Sequence, residues 1–258
     1  MSYGEGGKML AGCVITVVLL GSFLAATILF WNPPFFPSNG VTTTTTTEYE
    51  YVDYSFSNHE TSPGDPITLD FNINSGSVDV DFVDDPDLLF EVNVTVRNDT
   101  VLEHGPPDVA YFNNRVYFIY QSCEVTVSLG KGATYVFDFH VNSGSANLLI
   151  NEFAHVGDVS IDVNSGKLDL TLRSDCIILG NASFELYVNS GILDADFTIP
   201  SGLGAEFLGY VNSGECDIVS TWELESACHY RTSNYNASAQ VLIVTATVNS
   251  GILDVTLF

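Results

Sequence analysis

The sequence predicts an all-β fold, a β-solenoid of about eight coils of about 23 residues each, preceded by one N-terminal transmembrane helix. Three observations predict it. The triplet Asn-Ser-Gly recurs six times, at Asn74–Gly76, Asn142–Gly144, Asn164–Gly166, Asn189–Gly191, Asn212–Gly214 and Asn249–Gly251. An apolar residue precedes each copy, and a period-2 alternation follows it, as in Val-Asn-Ser-Gly-Lys-Leu-Asp-Leu at Val163–Leu170. Lastly, Met9–Trp31 is an apolar run without a single charged residue.

The N-terminal elements follow in order. Met1–Lys8 is a short polar stub on the cytoplasmic side. As a helix, Met9–Trp31 would span about 33–35 Å, enough for a hydrocarbon core of about 30 Å. Lys8 marks the inner side and Trp31 the outer interface, which gives N-in, C-out topology at the cell membrane. A cleaved signal peptide is the alternative, but Leu24-Ala25-Ala26 is a poor small-x-small site. A linker over 32–50, with three prolines and the threonine tract Thr42–Thr47, lifts the β-domain at 51–258 off the lipid.

Within that domain the spacing sets the repeat. From Asn142 to Asn249 the intervals are 22, 25, 23 and 37 residues, and the gap of 68 from Asn74 to Asn142 is close to three repeats. Two degenerate corners at Asn98 and Gln121 fill it, giving a ladder that climbs in chain order. Four residues past each start the residue is apolar at all eight positions, and six past it only His104 breaks the pattern. Gly supplies the positive φ of a tight corner, and Asn amides stacked about 4.8 Å apart would hydrogen-bond up the ladder. Asn-Ser-Gly also suits a hairpin loop, so a sandwich of hairpins is the competing fold. The long last interval leaves Trp222–Tyr235 projecting from the stack, with Trp222, Tyr230 and Tyr235 as candidate aromatic contacts for a partner.

Seven Lys and Arg against 32 Asp and Glu give a net charge of −25. Such a surface repels nucleic acid and anionic lipid, and keeps a strand-rich protein soluble. Five residues past their corners, Asp169, Asp194, Asp217 and Asp254 would form an outward column on four successive coils. Aspartates splayed into water are one reading of that column, and Ca²⁺ or another hard cation bridging it is the other. Four sequons, at Asn93, Asn98, Asn181 and Asn236, suit an N-glycosylated surface protein. Of five cysteines, Cys13 lies in the apolar segment; Cys216 and Cys228 are the candidate disulfide by their short loop, with free buried thiols as the alternative. Histidine spacing, nucleophile motifs and phosphate-binding loops are all missing, so the chain is expected not to be an enzyme and to carry no other cofactor.

The repeated Asn-Ser-Gly-x-Leu-Asp corner resembles the adhesin and "toast-rack" β-repeat families over about residues 65–258. The match is not complete: Asp falls three residues after the Gly, and Asn98 and Gln121 lack the Gly. The resemblance implies a β-helical fold and surface attachment, and supplies no catalytic residues. The resulting expectation is a membrane-anchored cell-surface protein acting in adhesion or envelope structure, with a protein or glycan partner outside the cell. The alternative is an accessory or stress-sensing subunit that binds another envelope protein in cis. Open strand edges make self-association a third expectation.

Overall fold

Each repeat is one long strand bent at its glycine. In the computed structural model, which describes residues 49–59 and 66–258, the strands are β1 (Tyr51–Asn58), β2 (Ile67–Val83), β3 (Phe90–Arg97), β4 (Val109–Phe112), β5 (Arg115–Gly130), β6 (Tyr135–Val141), β7 (Gly144–Ile150), β8 (His155–Leu172), β9 (Ile177–Ile178), β10 (Ala182–Phe197), β11 (Gly204–Ser220), β12 (Glu223–Ser226), β13 (His229–Arg231) and β14 (Val241–Leu257). One helix, α1 (Asn98–His104), follows β3. The segment Met9–Trp31 and the linker lie outside the described residues; among the described ones no helix is long and apolar enough to cross a membrane.

The corner reverses which residues face inward. Along β8, Val159, Ile161 and Val163 are buried before it, and Leu168, Leu170 and Leu172 after it. The odd interval from Val163 to Leu168 shifts the period-2 phase, so both arms present their apolar face to the same interior. The arms meet there: Phe82, past its corner, lies edge-on to Phe137, before the next one, at 6.3 Å, and Phe197 meets Phe207 at 6.2 Å.

Rungs pair in parallel and in register, corner on corner. This is not the pairing of a hairpin sandwich. Gly144 stands opposite Gly76 and Gly166, Gly191 opposite Gly166 and Gly251, and Gly251 opposite Gly214. Each of these glycines has φ between +134° and +147°. A Cβ on any of them would lie 1.7–1.8 Å from a carbonyl oxygen of the neighbouring rung. Glycine is therefore required twice over, by conformation and by the close approach of the next backbone.

The rungs do not climb in chain order. Their spatial order is β5, β2, β6 with β7, β8, β10, β14, β11, so the last strand inserts between β10 and β11, and β5 lies outside β2. This corrects the expected chain-order ladder at both ends. Asn98 is not a corner: it opens α1, whose residues are not buried, which is why His104 breaks the apolar pattern. Seven parallel rungs form among the described residues, not eight.

The two ends differ. Against β5, β4 pairs antiparallel with the arm before the corner and β3 with the arm after it, and β1 adds to β3. At the other end β13 covers only Glu206–Leu208 of β11. From Tyr210 to Ser220 the outer edge of β11 has no strand beside it among the described residues, and burial there falls away.

Candidate functional site

The Asn column forms a continuous side-chain ladder. Asn212 Nδ2 donates to Asn249 Oδ1 at 2.8 Å, Asn249 to Asn189 at 2.9 Å, Asn189 to Asn164 at 2.8 Å, Asn164 to Asn142 at 2.8 Å, and Asn142 to Asn74 at 2.9 Å. Asn74 then donates to Gln121 Oε1 at 3.3 Å on the first rung. The ladder ties each corner to the next and so supports their common register.

The acidic column is real but runs in the order Asp169, Asp194, Asp254, Asp217. A lysine supplies the counter-charge at one end of it. Lys167 Nζ lies 2.5 Å from Asp169 Oδ1 and 3.2 Å from Asp194 Oδ2, and the two carboxylates push its pKa upward. Further along the same face Asn147 donates to Asp79 at 2.9 Å, which removes another like-charge contact. Among the described residues no group of three or more His, Cys, Asp or Glu side chains is placed to hold a metal.

The segment after β11 folds back over the end of the stack instead of projecting. Trp222 is only 8% exposed and belongs to the core, so it offers no aromatic surface to a partner. Tyr230 packs partly buried against the core, opposite Phe207. Tyr235, on a short 3-10 turn at Tyr235–Ala237, donates its hydroxyl to Glu206 Oε2 at 2.9 Å. The physical reason is the unfinished interior at the last rung: these rings are needed to close it.

Glu206 organises this cap and was missed by sequence reading. It is 8% exposed, and its Oε1 accepts from Arg231 Nε at 2.9 Å and Nη2 at 2.6 Å, with His229 Nε2 at 2.7 Å. Arg231 also stacks over the Tyr235 ring at 4.9 Å. Burial alone would raise the Glu206 pKa, but the hydrogen bonds from His229, Arg231 and Tyr235 outweigh it and hold it below the usual carboxylate value. The alternation of His229 and Arg231 on one strand was the available signal.

Cys216 and Cys228 come together. Both are free thiols with Sγ atoms 2.8 Å apart, and Cys228 has an unusual φ of +54°. Burial of the sulfur, and the neighbouring thiol next, push the Cys216 pKa up to about 12. Cys216 takes the inward position of its rung yet is exposed, because β11 is the last rung. Cys123 and Cys176 are buried, and burial pushes each up to about 12.

The sequons fall on different surfaces. Asn181 and Asn236 are exposed. Asn93 lies half-buried on β3 with its amide donating to Glu91, and Asn98 starts α1 with its amide 3.4 Å from Glu50.

A cavity of about 350 Å³ opens beside the cap. It is lined by the Ile199–Leu203 turn, Thr221–Glu223, Thr232–Asn234 and Phe258. The indole Nε1 of Trp222 is buried without a hydrogen-bond partner.

No protein-family model and no curated protein sequence matches the chain. Its fold is similar to that of a "putative cell adhesion protein" from Clostridium sporogenes, at 12% identity, covering 81% of this chain and 100% of that one, with a TM-score of 0.63. A "putative adhesin" from Parabacteroides merdae aligns over 81% of this chain and 96% of its own at 9% identity, with a TM-score of only 0.24, too low to support an argument. The shared property is the all-β fold.

Proposed function

We propose that this chain is a membrane-anchored cell-surface scaffold acting in adhesion or envelope structure. Met9–Trp31 would anchor it, with the solenoid-like β-domain held outside the cell. One observation carries the reading: an in-register stack of parallel rungs whose end rung, β11, has no strand beside its outer edge from Tyr210 to Ser220 among the described residues. The cell adhesion description of the Clostridium sporogenes neighbour is consistent with it. An accessory subunit binding an envelope protein in cis is the alternative partner arrangement.

The test is photo-crosslinking on intact cells from a probe at Tyr210 or Leu224, which are 52% and 64% exposed. Adducts with a neighbouring cell or foreign surface support adhesion. Adducts confined to one protein of the same membrane refute it in favour of the accessory subunit.

A second reading, self-association, is favoured by the bare edge of β11 itself. Unpaired backbone donors and acceptors there, flanked by exposed Tyr210 and Val219, would accept a further strand. Val219→Lys should abolish any oligomer seen by sedimentation of the full chain; an oligomer unaffected by it excludes this edge.

A further inference from the structure

A ladder of side-chain amides has a direction, because each amide donates through its nitrogen and accepts through its oxygen. Here every asparagine donates toward the β5 end and accepts from the β11 end. Asn212 is the last member. Its Nδ2 is engaged by Asn249, and among the described residues nothing donates to its Oδ1.

The corner backbone is polarised in the same sense. A Cβ on Gly251 would lie 1.8 Å from the Gly191 carbonyl oxygen, and one on Gly214 1.8 Å from that of Gly251. Each corner oxygen thus points to the rung on its β11 side, and that of Gly214 points off the open edge. Tyr210–Ser220 has no strand on that side among the described residues, so alternate backbone donors and acceptors stand unpaired there.

Charge completes the description of this edge. Glu215 and Asp217 are exposed, and Asp254 stands opposite Asp217 on the next rung. Each Lys and Arg of the described residues is already paired with other carboxylates. Lys167 shows what is missing: directly after its corner glycine, it reaches Asp194, two places along on the neighbouring rung. A cation opposite Glu215 would have the same offset from Asp217.

We propose that the β11 edge binds one extended strand of another protein, parallel and in register, with Asn two residues before a glycine and Lys or Arg directly after it. The asparagine amide donates to Asn212 Oδ1, the glycine clears the Gly214 oxygen, and the cation meets Glu215 and Asp217. Outside the described residues this chain has no glycine with Asn two residues before it. In a second copy the inner rungs are paired on both sides and β3 and β4 cover β5, so it offers only another β11 edge with the same acids. The proposal deepens the reading of the β-domain as a binding scaffold and rests on it for the partner's location. Self-association through the same edge is the competing outcome.

The test is fluorescence anisotropy with the full chain in detergent micelles at physiological salt. The probe is a dye-labelled peptide of the sequence Thr245–Leu257 carrying Ile252→Lys and Asp254→Lys, which places lysines opposite Glu215 and Asp217. Saturable binding is expected. Gly251→Ala in the peptide should weaken it at least tenfold, and Asn249→Ala several-fold. Asp217→Asn in the protein, at an exposed position, should weaken it several-fold, and a scrambled peptide of equal charge should not bind.

No binding, equal binding of the Gly251→Ala, Asn249→Ala or scrambled peptide, or indifference to Asp217→Asn would overturn the proposal. So would a dimer that Val219→Lys abolishes and the peptide does not, since a second copy then holds the edge. Peptide binding without any adduct from Tyr210 on cells would keep the edge site and refute the adhesion reading. Failure of the peptide alone would sink the edge site and leave adhesion to the crosslinking result.

Discussion

Replacing Gly166 by alanine tests the stacking argument at its core. The new Cβ would meet the Gly144 carbonyl oxygen at 1.7 Å, where ordinary contact begins at 3.4 Å. Relief requires the two rungs to separate by roughly the difference, about 1.7 Å on a spacing of about 4.8 Å, which breaks the local inter-rung hydrogen bonds. Two or three backbone bonds and the Asn164–Asn142 amide bond, at about 1 kcal/mol each, would be lost. The φ of +142° adds about 1–3 kcal/mol for a residue with a Cβ. The sum is about 4–7 kcal/mol, comparable with the 5–15 kcal/mol typical of a whole domain. At about 2–4 °C per kcal/mol for a domain of this size, the melting temperature should fall by about 10–25 °C. Gly180→Ala is the control: its φ is +69°, and nothing lies within 4 Å of the added carbon. It carries positive-φ strain without the close approach and should lower the melting temperature by about 2–12 °C. Thermal unfolding followed by far-ultraviolet circular dichroism reads both. Equal losses for the two variants would refute the claim that close approach between rungs demands glycine.

Further consequences can be measured. Asn164→Ala removes two ladder bonds and should lower stability by about 1–2 kcal/mol in urea unfolding, whereas Gln121→Ala, at the end of the ladder, should cost less than half of that. The Glu206 pKa is depressed in the folded state, so its contribution is fully present above the unfolded carboxylate value near 4.5 and is lost as pH falls below it through the folded value. Glu206→Gln should therefore flatten the dependence of the melting temperature on pH as the pH falls below the ordinary carboxylate value; an unchanged slope would remove Glu206 from the acid response. Mild oxidation with diamide, which is itself reduced to the hydrazine as it takes two electrons and two protons, should join Cys216 to Cys228, because an S–S bond needs the 2.8 Å gap to close only to about 2.05 Å. Mass spectrometry should show loss of two hydrogens, and the link across 12 residues should stabilise the cap by about 2–3 kcal/mol; a thiol count unchanged after oxidation would contradict the contact.

Fold class was legible because the corner is a local rule repeated many times. Period-2 alternation and the fixed Asn-Ser-Gly frame depend only on neighbours in sequence, and the all-β fold follows from them. The Asp column was legible for the same reason, but its counter-ion was not. Lys167 sits two residues before Asp169, on the corner itself, and only parallel register carries its ammonium to Asp194. The cap was harder still. Trp222, Tyr230 and Tyr235 look from sequence like an aromatic projection, since nothing local says that the last rung leaves its interior uncovered. Glu206 stands 23–29 residues from its three partners, and its contacts follow from the fold-back alone.

Rung order departs from chain order, and the residues of the two end rungs account for it. A rung in the middle of the stack must meet two conditions: glycine at the corner, and large apolar residues at its inward positions. Cys123 fails the first, since it stands in the register position of a glycine, opposite Gly76. Each corner Cβ points toward the rung on the β5 side, so a cysteine fits only on the rung that has no corner beyond it. That places β5 outside β2. The Asn212 rung fails the second, because its inward residues include Gly209, Cys216 and Ser220, where the Asn249 rung has Ala246, Leu253 and Leu257. Were β14 the last rung, Leu253, Val255 and Leu257 would lose cover, at up to about 1.5–3 kcal/mol for each side chain fully exposed. In the observed order all three are at most 1% exposed, and the poorly packing strand takes the end, where little burial is lost. The same choice leaves β11 with the bare edge, the paired thiols and the cavity beside Trp222. The bare edge and the paired thiols at this end therefore follow from the residues that exclude β11 from the middle of the stack.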